Sequence, residues 1–180
     1  MTDTPIRTDR LLAALRILGW GGAAALLLTP AIAMQFSDEV QWTASDFVIA
    51  GFMLSIPLAI MELTLRASRS WAYRGGVALA AGTALVITWV NLAVGIIGDE
   101  GDPQNLMFFG VIGVAIVGGA LGRFRPKAMA LALLATAVAQ LATAGMAYVF
   151  GHVTFVLISA FALGWLLSAG LFWKAAGERA

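Results

Sequence analysis

Few side chains in this chain are equipped for chemistry, and they lie in or beside long apolar segments. Asp46 is a carboxylate about one helical turn inside such a segment, while Asn91 and Gln140 are neutral amides within two others. An ionisable group at membrane depth is a functional candidate, because a charge at the centre of a membrane helix costs roughly 2.5–3.5 kcal/mol. We predict a polar cavity that opens to the outer side and is lined by Asp46, Trp89, Asn91, Gln140, Tyr148 and His152.

Most of these residues also have a purely structural explanation. Asn91 and Gln140 can join two helices by hydrogen bonds, a contact worth about 1 kcal/mol or less within a membrane. Asp46 can be a charge at a helix N-terminus, stabilised by the helix dipole. Trp89 can be an aromatic side chain packed between helices. The sequence leaves both interpretations open, and the cavity requires the second, third and fifth apolar segments to converge.

The other carboxylate within an apolar segment is Glu62, which stands four residues before Arg66. This spacing places the two charges on one helix face and predicts a structural ion pair. At 100° per residue, the sixteen positions between Asp46 and Glu62 put these carboxylates about 160° apart. A proton relay along one helix face is therefore not expected.

The residue inventory excludes several kinds of chemistry. The chain has no cysteine and one histidine, so thiolate metal sites and bis-histidine haem ligation within one chain are excluded. Lys127 and Lys174 are at segment ends, which leaves no mid-membrane lysine for a Schiff base. No phosphate-binding loop or pair of nucleophile and base is evident. We predict no catalytic residues, no metal, no cofactor, no nucleic-acid partner and no enzymatic activity.

The elements that position these residues are apolar segments long enough to cross a bilayer. The chain is 61% apolar and 12% charged, whereas soluble domains are roughly 45–50% apolar and about 25% charged. About 20 apolar residues span a hydrocarbon core of about 30 Å as a helix. The sequence predicts an all-α bundle of about six transmembrane helices with short loops, forming a single integral membrane domain over residues 1–180, with spans near 17–34, 42–65, 73–97, 106–121, 128–149 and 153–173.

The charges are sorted between the two ends of these segments. All 11 lysines and arginines precede the first span, follow the sixth, or lie in or at the edge of the connections between spans two and three and between spans four and five. The remaining connections carry acidic residues and His152. The positive-inside bias predicts that both termini are cytoplasmic in a bacterial inner membrane. Alternatively, residues 1–33 resemble a secretory signal, whose cleavage would leave five spans with the same sidedness.

Small residues spaced by four indicate helix faces that can approach closely. These pairs and rows pack either within the chain or against another subunit, and packing within the chain is the more general expectation. The leading functional prediction is a non-enzymatic subunit or accessory protein acting through helix packing with a partner or itself; the alternative is binding or transport of a small solute through the outer cavity. The small-residue faces are Gly118 with Gly122, Ala115 with Gly119, Gly19 with Ala23, and Ala160 with Gly164 and Ser168.

The segment WVNLAVGIIGDEGDPQNLMFFG, residues 89–110, resembles part of an uncharacterised family of small multi-pass bacterial inner-membrane proteins. The resemblance covers the end of the third span, the acidic loop and the start of the fourth span, and it implies no activity. Six short spans with both ends inside also resemble the substrate-binding subunits of energy-coupling-factor vitamin transporters. That second likeness is one of topology and size alone.

Overall fold

The computed structural model describes residues 4–99 and 101–178, and side chains from residue 10 onward. Every regular element in these ranges is helical, which confirms the predicted all-α class. Within the described residues, six helices are long and apolar enough to cross a membrane. They are α1 (Thr4–Ala33), α2 (Ala44–Ala67), α3 (Trp71–Ala93), α4 (Leu106–Leu121), α5 (Pro126–Val149) and α6 (Phe155–Gly177), with a short 3₁₀ turn at Pro103–Asn105 before α4.

The chain divides into two compact units, Met1–Ala59 and Ile60–Ala180, with the boundary inside α2. In the first unit, a Cβ added to Gly19 would lie 2.9 Å from the Leu58 side chain, so α1 packs closely on α2 at this glycine. Pro30 and Pro57 lie inside α1 and α2.

The second unit is a helical bundle in which α5 contacts both α4 and α6, while α3 contacts mainly α6. Small residues set the closest approaches. A Cβ added to Gly118 would lie 2.7 Å from the Cβ of Ala132, and the Ser168 hydroxyl donates to the Gly76 carbonyl over 2.7 Å. Gly164 of α6 approaches Thr83 of α3 so closely that it leaves no room for a side chain. These three predicted small-residue positions therefore pack within the chain.

The two ends of the second unit differ in charge. One end, which we call the loop end, consists of residues 94–105 and 150–154, and its described charged side chains are Asp99 and Asp102. The opposite, basic end carries the arginines and lysines of residues 66–74, 123–127 and 174. This separation is the one that the sequence predicts. Of the other charges in that argument, four belong to the first unit, namely Arg10, Arg16, Asp38 and Glu39. Glu100, Arg179 and the side chain of Arg7 lie outside the described residues.

Arg74 is buried at the basic end and stabilises the turn that links α2 to α3. Its Nε donates to the Ser68 carbonyl over 2.8 Å, and its Nη2 donates to the Leu65 carbonyl over 3.0 Å. The guanidinium carbon also lies 5.2 Å from the centre of the Trp71 ring. A cation satisfies helix C-terminal carbonyls well, because they form the negative end of the helix dipole.

Predicted span limits differ from the observed helices by more than two residues at three places, one of which is the C-terminal end of α6, at Gly177 instead of residue 173. The helix of the first span begins at Thr4, well before the predicted residue 17, since a helix continues into its polar flank. The third span was predicted to reach residue 97, but α3 ends at Ala93. Gly95 follows with φ +70°, a conformation that ends the helix. Ile96 and Ile97 are buried in the loop, so their apolar character does not mark a longer helix.

Candidate functional site

A buried asparagine organises the loop end of the second unit. The Asn105 Oδ1 accepts from the backbone N–H groups of Ile96 and Ile97, over 3.1 and 2.9 Å. Its Nδ2 donates to the carbonyls of Ile97 and Asp99, over 3.0 and 2.6 Å. One side chain thus satisfies polar backbone groups that the end of α3 leaves without helical partners.

Asn91, a predicted site residue in the last two turns of α3, is joined to this centre. It is 3% exposed, and its Nδ2 donates to the backbone carbonyl of Asn105 over 3.2 Å. That contact fixes the orientation of the amide, because only its nitrogen can donate. The Asn91 Oδ1 is buried and has no hydrogen-bond partner among the described residues.

Gln140, the second predicted amide, is fully buried in α5 and bonds to α6 instead. Its Nε2 donates to the Ile158 carbonyl, and its Oε1 accepts from the indole N–H of Trp165, both over 3.3 Å. Trp165 is a mid-span tryptophan whose N–H requires a partner, and Gln140 is that partner. Asn91 and Gln140 therefore make separate interhelical contacts, as their structural explanation requires.

Replacing Gln140 should affect Trp165 directly. We expect Gln140→Leu to lower the free energy of unfolding by about 1–2 kcal/mol, because it leaves a buried indole N–H unpaired. The tryptophan fluorescence of the folded protein should shift in the same variant, and thermal unfolding in detergent checks the stability. Thr143→Val is the matched control on the same helix, since the Thr143 hydroxyl bonds within α5. Equal midpoints for Gln140→Leu and the wild type would contradict this role.

The other predicted cavity residues of the second unit differ in exposure. Trp89 is 37% exposed and Tyr148 66% exposed, and Tyr148 packs edge-on against the Phe155 ring. His152 is half-buried just beyond α5, where its backbone N–H bonds to the Ala147 carbonyl and closes the helix end. A single cavity shared by all of the predicted residues stays a prediction.

Asp46 belongs to the first unit and acts in the cap of α2. Its Oδ2 accepts from the backbone N–H and the hydroxyl of Thr43, over 2.7 and 2.8 Å. A carboxylate in this position satisfies free N–H groups and complements the positive end of the helix dipole. The structural explanation for Asp46 thus has direct geometric support.

The remaining predicted pair, Glu62 and Arg66, lies near the C-terminal end of α2. Glu62 is half-buried and Arg66 is exposed. Their spacing of four residues within a continuous helix is compatible with an ion pair. The pair stays a prediction.

The described residues contain no group of three or more histidine, cysteine, aspartate or glutamate side chains that could hold a metal ion. The described oxygens at the loop end belong to the carboxylates of Asp99 and Asp102 and to amide, hydroxyl and backbone groups. The neutral oxygens among them can bind a hard cation or hydrogen-bond donors.

Two important polar residues were missed by the sequence argument. Asn105 follows Asp102-Pro103, a pattern that predicts a turn but gives no indication that the asparagine is buried. The sequence places Arg74 only among the basic residues that separate the second and third spans. Its position four residues after Ser70, the cap of α3, places it in the first helical turn, where it can reach back to the preceding carbonyls.

Comparison with known proteins gives no relative from which a function could be transferred. No protein-family model, no curated protein and no solved structure matches the chain. The resemblance of residues 89–110 to a bacterial membrane family is not tested by this result. The described residues form six helices that are long and apolar enough for a multi-pass membrane protein.

Proposed function

We propose that this chain is a non-enzymatic subunit or accessory protein that binds another membrane protein, or a second copy of itself, through helix packing. The observation that carries the proposal is the open side of α4. One side of this helix packs on α5, while Leu106 and Ile116 are 67% and 62% exposed. Gly110 and Gly113 have no atom within 4 Å of an added Cβ.

Contact with lipid accounts for exposed leucine and isoleucine, but it gives no reason for glycine. Glycine weakens a helix by about 1 kcal/mol relative to alanine, and in membranes it recurs where two helix backbones approach closely. Gly110, Gly113 and Val117 share one stripe of α4, because spacings of three and seven residues return to the same face. This stripe, which we call the α4 seam, is the proposed docking surface.

The proposal includes a location. We place the protein in the inner membrane of a bacterium, with both termini in the cytoplasm and its apolar surface in contact with lipid. The support is the placement of all 11 basic residues at one end of the spans together with the positive-inside bias.

The test is a pair of matched double variants. Gly110→Leu with Gly113→Leu fills the α4 seam, and we expect at least about a tenfold loss of crosslinked dimer or copurified partner, equivalent to about 1.4 kcal/mol. Gly145→Leu with Gly170→Leu is the control, because these glycines of α5 and α6 also have open space around them.

The control should assemble like the wild type. A wild-type protein that purifies as a stable monomer without a partner would remove the proposal. Equal losses in the two double variants would assign the effect to leucine substitution in general and would equally reject the α4 seam.

A further inference from the structure

Three buried oxygens at the loop end of the second unit have no hydrogen-bond partner within the described part of the chain. They are the Asn91 Oδ1, the Gln104 Oε1 and the Thr154 Oγ1. A buried polar atom left unpaired costs about 1–3 kcal/mol, and in native proteins it often marks a bound water or ion. All three atoms lie at one end of the same bundle, so one bound ligand could satisfy them together.

The register of the helices places these oxygens in one layer. Thr83 contacts Gly164 in the antiparallel pair of α3 and α6. Eight residues from this contact toward the loop end, the two helices reach Asn91 on α3 and residue 156 on α6. Residue 156 is two positions from Thr154 in the sequence. Gln104 directly precedes Asn105, whose carbonyl binds the Asn91 amide. The three oxygens thus belong to the same end layer, on α3, on the turn before α4 and at the start of α6.

The surroundings of this layer favour positive charge. Asn91 lies in the last turns of α3, where the helix dipole is negative. The Asp102 carboxylate accepts from the Gln104 backbone N–H over 2.8 Å, which places a negative charge beside the layer. The described lysines and arginines of this unit all lie at the opposite end, and His152 is the one described side chain at the loop end that can become cationic.

We propose that this layer binds a small alkali cation through the Asn91 Oδ1, the Gln104 Oε1 and the Thr154 Oγ1. All three ligands are oxygens, the atoms that hard cations prefer. They are uncharged, which suits a monovalent ion, whereas calcium sites use carboxylates directly and magnesium keeps most of its water. The proposal goes beyond the packing function and does not depend on it.

Thermal unfolding of the full chain in neutral detergent tests the site, with tryptophan fluorescence as the readout. Choline chloride, sodium chloride and potassium chloride are compared at equal ionic strength. We expect sodium or potassium to raise the midpoint saturably by about 2–4 °C relative to choline, since a ligand that binds only the folded state stabilises it.

Thr154→Val is the decisive variant, because valine has the shape of threonine without the hydroxyl. We expect it to abolish the rise in sodium or potassium while leaving the midpoint in choline unchanged or slightly higher, since an unpaired buried hydroxyl is removed. Gln104→Met is a second variant with the same expectation. Thr136→Val is the control: the Thr136 hydroxyl is buried like that of Thr154, but it already donates to the Ala132 carbonyl, so the rise should persist.

Equal midpoints in choline, sodium and potassium would overturn the proposal, because a water molecule could then satisfy the same oxygens without ion specificity. A rise that persists in both Thr154→Val and Gln104→Met would equally overturn it, as would a response to divalent cations alone. The variant with a filled α4 seam should keep the full rise, so failure of the packing function and failure of the cation site are distinguishable.

Discussion

Asn105→Leu is expected to lower the free energy of unfolding by about 3–5 kcal/mol, the largest effect of any single substitution at the loop end. The change removes the four hydrogen bonds that its side chain makes to backbone groups of residues 96, 97 and 99. Leucine has a similar volume but leaves these groups unpaired, and each buried one costs about 1–3 kcal/mol. Thermal and SDS-induced unfolding in detergent micelles measure the loss.

Asn105→Asp separates the contribution of the amide oxygen, which accepts, from that of the amide nitrogen, which donates. The aspartate keeps an acceptor for the N–H groups of Ile96 and Ile97 but cannot donate to the carbonyls, so its ionised form should be intermediate in stability. Gln104→Met, measured in choline chloride, is the control at the neighbouring position. The Gln104 Oε1 has no hydrogen-bond partner among the described residues, so this change removes no bond of that oxygen. An Asn105→Leu variant within 1 kcal/mol of the wild type would show that the loop does not depend on this side chain.

The helices were predictable because a membrane span is determined mainly by composition. An uninterrupted apolar segment of about 20 residues has few other stable states in lipid. The one-sided placement of basic residues, visible in the second unit between Lys127 at one end and Asp99 at the other, is likewise a property of the sequence alone.

The partners of individual side chains were not predictable to the same degree. Gln140 could be placed in a membrane helix, but its contact with Trp165 joins residues 25 positions apart and depends on how α5 and α6 pack. The end of α3 was misplaced for a related reason. Hydropathy counts Ile96 and Ile97 as part of a span, whereas a side chain nine residues further along takes over the hydrogen bonding of Ile96.

Small-residue spacing predicted close helix approach correctly without identifying which helix approaches. The spacing of Gly118 and Gly122 was compatible with packing inside the chain, the more general expectation, and also with a subunit interface. The structure places both against alanines of α5, Ala132 and Ala128. Gly110 and Gly113 of α4 remain open on one stripe, and these two glycines carry the proposal of an interface.

Gly118→Val is expected to lower the free energy of unfolding by about 3 kcal/mol, at the upper end of the range for overpacking. Even the first atom of the new side chain would lie 2.7 Å from the Cβ and 3.3 Å from the Cα of Ala132. Both of these atoms are fixed to the backbone, so α4 and α5 must move apart to relieve the clash. SDS-induced unfolding in mixed micelles measures the cost.

A second substitution separates this steric effect from a loss of helix stability. Ala132→Gly removes the atom that clashes, so the double variant should be more stable than the sum of the two single effects by at least about 1 kcal/mol, the coupling expected of contacting residues. Ala135→Gly is the matched control on an exposed face of the same helix. It carries the same glycine cost of about 1 kcal/mol but relieves no contact with Gly118→Val. If the two glycine substitutions rescued equally, the close packing of α4 on α5 at Gly118 would be disproved, and the distinction between packed glycines and the open glycines of the α4 seam would no longer hold.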